Sequence, residues 1–115
     1  MVEDCIFCKI AAGEIPCRQV YADDELIAFH DIKPQAPIHI LVIPRKHISN
    51  MNEATPEDQA VLGAMMFRAS QIAAEAGLAE TGYRLALNTG PDAKQSVFHI
   101  HLHILGGRPL EGRMG

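Results

Sequence analysis

Three histidines near the C-terminus, His99, His101 and His103, alternate with apolar residues. Side chains along a β-strand alternate between its two faces, so this spacing predicts three imidazoles in one row, about 6.5 Å apart. A neutral imidazole is a nucleophile near pH 7, and its neighbours can donate hydrogen bonds to the oxygens of an anion. The row therefore suits chemistry at one phosphate group, with the middle histidine flanked on both sides. The alternatives are ordinary half-exposed strand histidines or the remains of a metal site.

A second group of reactive side chains lies at the N-terminus, where Cys5 and Cys8 form a Cys-x-x-Cys segment. This spacing can supply half of a metal site, a redox pair, or two small buried apolar side chains. The chain has 3 cysteines, and an odd count argues against a disulfide framework. The segment alone does not choose among these interpretations.

The elements that must position these residues begin with a predicted hairpin. Two apolar runs, residues 18–22 and 26–30, are joined by a short acidic turn, as in a β-hairpin. Residues 38–43 are rich in β-branched side chains and are followed by Pro44, which predicts a third and mostly buried strand.

One long amphipathic helix is predicted over residues 56–76. Thr55 is a candidate N-cap, Pro56 suits the first helical position, and Gly77 is placed to end the helix. The apolar residues that recur at helical spacing are Val61, Leu62, Met65, Ala69, Ile72, Ala73 and Ala76.

Two further strands complete the predicted architecture. Residues 83–87 alternate in polarity and predict a fourth strand, and residues 97–105 predict a fifth strand that carries the histidines. The other face of the fifth strand is expected to pack under the helix with Phe98, Ile100, Leu102 and Ile104. The fold class is α+β, an antiparallel β-sheet with one long α-helix packed on it.

Composition places the chain among globular proteins and excludes several function classes. Its 115 residues are 48% hydrophobic and 21% charged, which predicts one domain, residues 1–115, with a real core. The net charge of -4 and the lack of a basic stripe argue against polymeric nucleic acid as a partner. The N-terminus is acidic, and no apolar run approaches the roughly 20 residues of a membrane helix. We therefore expect a cytoplasmic protein that does not bind membranes.

The histidine segment resembles the motif of a known family. Residues 99–105 match the His-x-His-x-His-x-x motif, with x apolar, of the histidine triad superfamily. The resemblance extends from Cys5 to Pro109 and includes residues 31–39, 42–48, 83–84, 88 and 95–98. The ending Gly106-Gly107-Arg108-Pro109 favours the branch called histidine triad nucleotide-binding proteins. This resemblance implies the histidine triad fold and purine nucleoside phosphoramidase activity.

The resemblance also implies a role for each matching residue. His101 matches the nucleophile, His103 matches a phosphate ligand beside the leaving group, and His39 matches a supporting position near the nucleophile. Asp31 matches the carboxylate that hydrogen-bonds the ribose hydroxyls. The positions around the phosphate are matched by Asn88, Gln95 and Ser96, with Ser96 counted among the catalytic residues. The apolar purine pocket is matched by Ile6, Phe7, Ile10, Phe29 and Ile32. From the residues alone, His39 could be purely structural, Asn88 a turn residue, and the two phenylalanines ordinary core.

Some members of the superfamily bind zinc through an N-terminal cysteine pair and two histidines. The matching ligands here are Cys5, Cys8, His47 and His99. Two thiolates and two imidazoles make a closed tetrahedral set, so the resemblance implies a structural zinc and no cofactor for the chemistry itself. Its expected effect is to orient His99 and so to preorganise the neighbouring nucleophile.

The implied reaction is a double displacement on a purine nucleotide substrate. His101 attacks the α-phosphorus of a nucleoside 5′-phosphoramidate or a related nucleotidyl compound, and water then cleaves the nucleotidyl-histidine intermediate. Two alternatives stay open: a nucleotide-binding or protein-interaction module with residual activity, and a dinucleoside polyphosphate hydrolase. The resemblance also implies a homodimer, with the long helix and the fourth strand at its interface. The helix face expected there carries Leu62, Met65, Met66 and Ile72.

Overall fold

In the computed structural model, which describes residues 4–114, five antiparallel strands form one sheet in the order β1-β2-β3-β5-β4. The elements are α1 (Ile6–Ala11), β1 (Gln19–Ala22), β2 (Leu26–His30), β3 (Ile38–Pro44), two short 3₁₀ turns (Met51–Glu53 and Pro56–Asp58), α2 (Gln59–Glu75), β4 (Tyr83–Ala86) and β5 (Leu102–Gly106). The long helix α2 packs on this sheet, as the α+β prediction requires. Helix α1 has no counterpart among the elements predicted from the sequence.

The β1–β2 hairpin and the central strand β3 agree with the sequence pattern. Asp23 organises the hairpin turn, because its Oδ1 accepts hydrogen bonds of 2.8 Å from the backbone N–H groups of Glu25 and Leu26. Strand β3 pairs with β2 on one side and β5 on the other, and its residues 39–44 are all buried. A strand that is covered on both faces reads as a continuous apolar run, which is the pattern seen there.

Helix α2 begins and ends close to the predicted residues. The Asp58 carboxylate accepts a hydrogen bond of 2.9 Å from the Thr55 N–H at its start, and Gly77, with φ +82°, follows its end. None of the helices in the described part of the chain combines the length and the apolar character that crossing a bilayer demands.

The outer face of α2 differs from the expected interface. Met65 and Ile72 are only 1% and 3% exposed, because they belong to the chain's own core, and they are unavailable to a partner. The large apolar side chains that α2 does expose are Met66 and Phe67, at 51% and 65%.

Strand β5 is shorter than the predicted strand 97–105. Its ladder with β3 starts at the Val42–Leu102 pair, and residues 97–101 lie outside it. Pro44 has no N–H to donate where the ladder would continue, and the N–H of Ile100 instead donates to the carbonyl of Ile48 at 2.7 Å. Phe98 consequently does not pack under the helix and is 58% exposed.

The sheet separates two apolar clusters, and the register decides which side chains share a face. Ile40, Ile104 and the other inward residues of one face pack against α2. On the opposite face, Leu41, His103 and Ala86 form one cross-strand row, and His39, Leu105 and Arg84 form the next. The histidines therefore lie on the face that α2 does not cover.

Candidate active site

The three histidines of the row lie side by side on that face. The ring centroids of His101 and His103 are 5.0 Å apart, and the Phe7 ring packs edge-on to His101 at 5.1 Å. His99 and His101 are buried, with exposures of 0% and 7%, and His103 is half-buried. The alternating spacing thus brings the imidazoles together, although only His103 belongs to the hydrogen-bonded ladder of β5.

One hydrogen bond determines which nitrogen of His101 carries a proton. Its Nδ1 lies 2.8 Å from the backbone carbonyl oxygen of His99. A carbonyl oxygen can only accept, so Nδ1–H donates and the lone pair of the neutral ring is on Nε2. Nε2 is therefore the atom of His101 whose lone pair is available to attack an electrophile. The same carbonyl can stabilise the positive charge that the ring gains when Nε2 forms a bond.

A chain of hydrogen bonds assigns the protons of His39 and His103 in the same way. The backbone N–H of Gln35 donates to Nδ1 of His39 at 3.0 Å, so the proton of the neutral His39 ring is on Nε2. That Nε2 lies 2.9 Å from Nδ1 of His103, to which it donates. The proton of His103 is then on its own Nε2, a buried atom with no hydrogen-bond partner among residues 4–114. A buried donor of this kind suits an oxygen of a bound anion.

Burial keeps both of these histidines neutral near pH 7. The pKa of His103 falls to about 4, first because burial disfavours the charged ring and then because His101 and His39 would repel a second positive charge. Burial also lowers the pKa of His39, and the nearby Asp31 carboxylate only partly opposes this. The 3.4 Å contact between Asp31 and His39 Nε2 is therefore a contact of a charge with a neutral donor.

Asp31 follows directly after β2 and lies at the edge of this histidine pair. Its Oδ1 accepts a hydrogen bond of 2.8 Å from the N–H of Lys33, which turns the chain away from the sheet. Its Oδ2 faces His39, and 21% of the side chain is exposed. A partly exposed carboxylate at this position can accept hydrogen bonds from a ligand.

The residues expected to bind a purine divide into two groups. Phe7, Ile10 and Phe29 are buried in one cluster, in which the Phe7 and Phe29 rings pack edge to face with centroids 5.6 Å apart. Ile6 and Ile32 lie outside that cluster, with exposures of 44% and 89%. An exposed isoleucine costs free energy unless something covers it, and a flat apolar ligand could do so.

The polar residues expected around the phosphate have different surroundings. Gln95 is buried, and its amide accepts from the N–H of Gly90 and donates to the carbonyls of Ser49 and Val97 at 2.8 and 3.1 Å. Both of its N–H donors are occupied, so in this structure Gln95 holds the loop before the histidines and cannot donate to a phosphate. Ser96 is exposed, and Asn88 is half-buried.

The four side chains with metal-ligating chemistry converge beside His101. Sγ of Cys5 lies 3.3 Å from Nδ1 of His99, and Sγ of Cys8 lies 3.3 Å from Nδ1 of His47. All four donor atoms lie within 4.8 Å of one another. Tetrahedral zinc, with Zn–S of about 2.3 Å and Zn–N of about 2.0–2.1 Å, separates a sulfur from a nitrogen by about 3.5 Å. The donor set and its spacing fit such an ion.

The surroundings of this cluster orient its ligands. Nε2 of His99 donates to the Pro44 carbonyl at 2.7 Å, which leaves the Nδ1 lone pair facing the two thiols. The N–H of Cys8 donates to Sγ of Cys5 at 3.3 Å. Without a metal, burial raises the pKa of the Cys5 thiol, and a cation at this position would reverse that effect.

Two residues that the sequence pattern did not predict, Gln35 and Arg45, also support the site. The backbone of Gln35 fixes the tautomer of His39, and backbone groups leave no mark in a side-chain pattern. Arg45 donates to the carbonyls of Ala11 and Asp23, both at 2.7 Å, and so ties α1 to the hairpin. In the sequence, Arg45 is indistinguishable from a solvated surface cation.

A family model and a relative of known activity match this chain. Residues 12–110 match the HIT domain. The purine nucleoside phosphoramidase of Escherichia coli (strain K12) is 51% identical over 110 residues, which cover 96% of this chain and 92% of that protein.

Solved structures share the fold. A HIT family hydrolase from Legionella pneumophila Philadelphia 1 has a TM-score of 0.95 and 47% identity, covering 97% of this chain and 100% of that one. A Zn-bound histidine triad family protein from Mycobacterium smegmatis has a TM-score of 0.79 and 38% identity, covering 91% of this chain and 76% of that one.

Proposed function

The chain belongs to the HIT domain family, and we propose that it hydrolyses purine nucleoside 5′-phosphoramidates and related nucleotidyl compounds at the α-phosphorus. The observation that carries the proposal is the pairing of two complementary nitrogens. The lone pair of His101 Nε2 lies next to a histidine whose buried Nε2–H has no partner among the described residues. One can attack phosphorus while the other holds a phosphoryl oxygen.

The first step is the attack of His101. Its Nε2 forms a bond to the α-phosphorus, the bond from phosphorus to the leaving nitrogen breaks, and that nitrogen takes a proton from solvent and leaves as an amine. The imidazole becomes positively charged, and the carbonyl of His99, 2.8 Å from Nδ1, stabilises that charge. The Nε2–H of His103 donates to a phosphoryl oxygen, and the exposed Ser96 hydroxyl is available to do the same.

The second step restores the enzyme. A water molecule attacks phosphorus and loses a proton to solvent, the bond to His101 Nε2 breaks with its electron pair returning to the imidazole, and a nucleoside monophosphate is released. In the ligand-free protein, burial lowers the pKa of His103 to about 4, so His103 enters the reaction as a neutral hydrogen-bond donor instead of a cation.

The rest of the substrate is expected along the same face of the sheet. The ribose hydroxyls donate to Asp31, which is partly exposed next to His39. The purine lies over the cluster of Phe7, Ile10 and Phe29, where Ile6 and Ile32 can cover its edges. Asn88 lines the phosphate, and Gln95 supports it indirectly by holding the loop.

We also propose that Cys5, Cys8, His47 and His99 hold a structural zinc ion. Support comes from the fit of the four donors and from the Zn-bound relative of Mycobacterium smegmatis. Four protein ligands complete a tetrahedral shell, so the ion supplies rigidity and no Lewis acid chemistry. It would tie α1 to the segment that carries His101.

The assembly and location that we propose follow the sequence analysis. The chain is cytoplasmic, and it pairs with a second copy through β4 and the outer face of α2, where Met66 and Phe67 are exposed. Light scattering of wild type and of Phe67→Lys tests the pairing, since a charge in an apolar interface should favour the monomer.

A substrate panel tests the proposed function. Adenosine and guanosine phosphoramidates should be hydrolysed catalytically, and dinucleoside polyphosphates should react more slowly. A preference for dinucleoside polyphosphates would identify the chain as a dinucleoside polyphosphate hydrolase instead. Binding of nucleotide without turnover of either substrate class would make it a binding module.

A further inference from the structure

The segment at the end of β5, Gly106-Gly107-Arg108, is not used by the mechanism above, although it is part of the family resemblance. Gly107 has a φ of +97°, and a Cβ built on it would lie 2.9 Å from Cβ of Pro37. Only glycine adopts this conformation without strain and also permits this close approach. The segment is therefore pressed against the loop of residues 31–37.

This approach brings Arg108 to the backbone of Gln35. Nη2 of Arg108 donates to the carbonyl oxygen of Gln35 at 3.1 Å, across 73 residues of sequence. Its Nη1 donates to the carbonyl of Pro109 at 2.9 Å, which fixes the orientation of the guanidinium plane. Arg108 thus holds one backbone group of Gln35, while the other one, the N–H, donates to Nδ1 of His39.

The direction of the hydrogen bond between His39 and His103 depends on that N–H. If Nδ1 of His39 lost its donor, the ring could carry its proton on Nδ1, and Nε2 would become an acceptor. His103 would then donate through Nδ1, and its own Nε2 would present a lone pair to the phosphate. A lone pair repels a phosphoryl oxygen, so the reversed chain would remove a catalytic hydrogen bond. The Asp31 carboxylate, 3.4 Å from His39 Nε2, favours the productive direction from the other side.

We propose that Arg108 is a positioning residue that sets the tautomers of His39 and His103 through the backbone of Gln35. It contacts neither of these rings in the structure, and it acts by holding the loop so that the Gln35 N–H stays aimed at Nδ1. Gly107 makes this possible by letting the chain pass against Pro37. The effect on turnover rests on the proposed hydrolase function, whereas the effect on the tautomers does not.

Imidazole ¹⁵N spectra of the ligand-free protein test the proposal directly, because Nδ1–H and Nε2–H tautomers have distinct nitrogen shifts. In wild type, both His39 and His103 should be Nε2–H tautomers. In Arg108→Ala, both should shift toward Nδ1–H, and kcat/KM for a phosphoramidate should fall about two- to tenfold, the scale of one hydrogen bond. Arg108→Lys, which keeps one donor, should lie between the two. Arg113→Ala is the matched control in the same tail and should change neither measurement.

A backbone change provides the second test, and it covers the case in which Arg108→Ala fails to fold. Replacing Gln35 by its α-hydroxy acid turns the Pro34–Gln35 amide into an ester, which removes the N–H and keeps the side chain and the Gln35 carbonyl, and should reverse the tautomers at least as strongly as Arg108→Ala. Wild-type tautomers in either altered protein, or a loss of turnover in Arg108→Ala without a tautomer change, would overturn the proposal. A tautomer change in a protein that hydrolyses no phosphoramidate would support the positioning role and reject the hydrolase function.

Discussion

The two ends of the histidine row contain the same residue type in different surroundings. At the N-terminal end, His99 faces two thiols and His47, and its Nε2 proton is held by the Pro44 carbonyl. At the C-terminal end, His103 faces His39 and Asp31, and its Nε2 proton is unpartnered among the described residues. His101 lies between them with its lone pair on Nε2. Three residues of one type thus present different groups to a bound ion or substrate, because their hydrogen-bond partners differ.

Replacing His101 should reduce turnover more than replacing either of its neighbours in the row. His101→Ala should lower turnover of a phosphoramidate by at least about 10³-fold, because alanine has no lone pair to attack phosphorus. Binding of AMP should largely survive, since the base and ribose contacts remain. Acid quench during turnover, followed by peptide mass spectrometry, should find the nucleotidyl adduct on His101 in wild type only. An adduct on His99 or His103 would show that the roles along the row are assigned wrongly.

A substitution next to His103, at the C-terminal end of the histidine row, should affect nucleotide affinity with little effect on the fold. Asp31→Ala should weaken binding of AMP and GMP by about 1.5–3 kcal/mol, the usual value for a hydrogen bond to a charged group. Calorimetric titration measures this directly. Asp24→Ala, in the exposed β1–β2 turn, is the matched control. Equal affinities for wild type and Asp31→Ala would remove Asp31 from the ribose site.

A substitution next to His99, at the N-terminal end of the histidine row, should instead affect metal content and stability. Protein purified without chelator should contain about one zinc per chain, and Cys8→Ser should lower both the zinc content and the thermal midpoint. Each kcal/mol of stability lost corresponds to about 4–8 °C in a domain of roughly this size. Cys17→Ser, at the half-buried cysteine outside the cluster, should leave the zinc content unchanged. A zinc site would be contradicted if the purified protein contained no metal and Cys8→Ser left the thermal midpoint unchanged.

A pH dependence of stability should originate at the C-terminal end of the histidine row. The pKa of His103 is about 4 in the folded state, below the value of about 6.5 for an unfolded histidine. The unfolded chain therefore binds this proton more readily, and the stability that the neutral ring contributes is complete above pH 6.5 and is lost as the pH falls toward 4.

Thermal unfolding at several pH values between 4 and 7 measures that contribution. The curve of midpoint against pH should be flatter for His103→Gln than for wild type. His30→Gln, at a half-buried histidine at the end of β2, should retain the wild-type slope. Parallel curves for all three proteins would show that His103 is not held neutral by its surroundings.

Much of the fold was predictable because local patterns dominate it. The hairpin, the buried strand β3 and helix α2 follow from turn residues, a β-branched run and helical spacing, and all three were confirmed. The predicted length of β5 was wrong, because its hydrogen bonds to β3 depend on whether Pro44 of that strand can donate one. The outer face of α2 was misjudged for a similar reason, since burial of Met65 and Ile72 is decided by the sheet beneath them.

The amino-acid sequence was sufficient to identify the family, the fold class and the side chains that converge, because the order of residue types along a strand fixes which of them share a face. The group that each histidine presents depends instead on the folded arrangement. The proton of His101 is placed by a carbonyl two residues away, that of His99 by Pro44, and that of His103 by a relay that starts at a backbone N–H. These partners are mostly backbone groups from distant segments. A backbone group has the same chemistry at every residue, so only the folded arrangement shows which one a side chain meets.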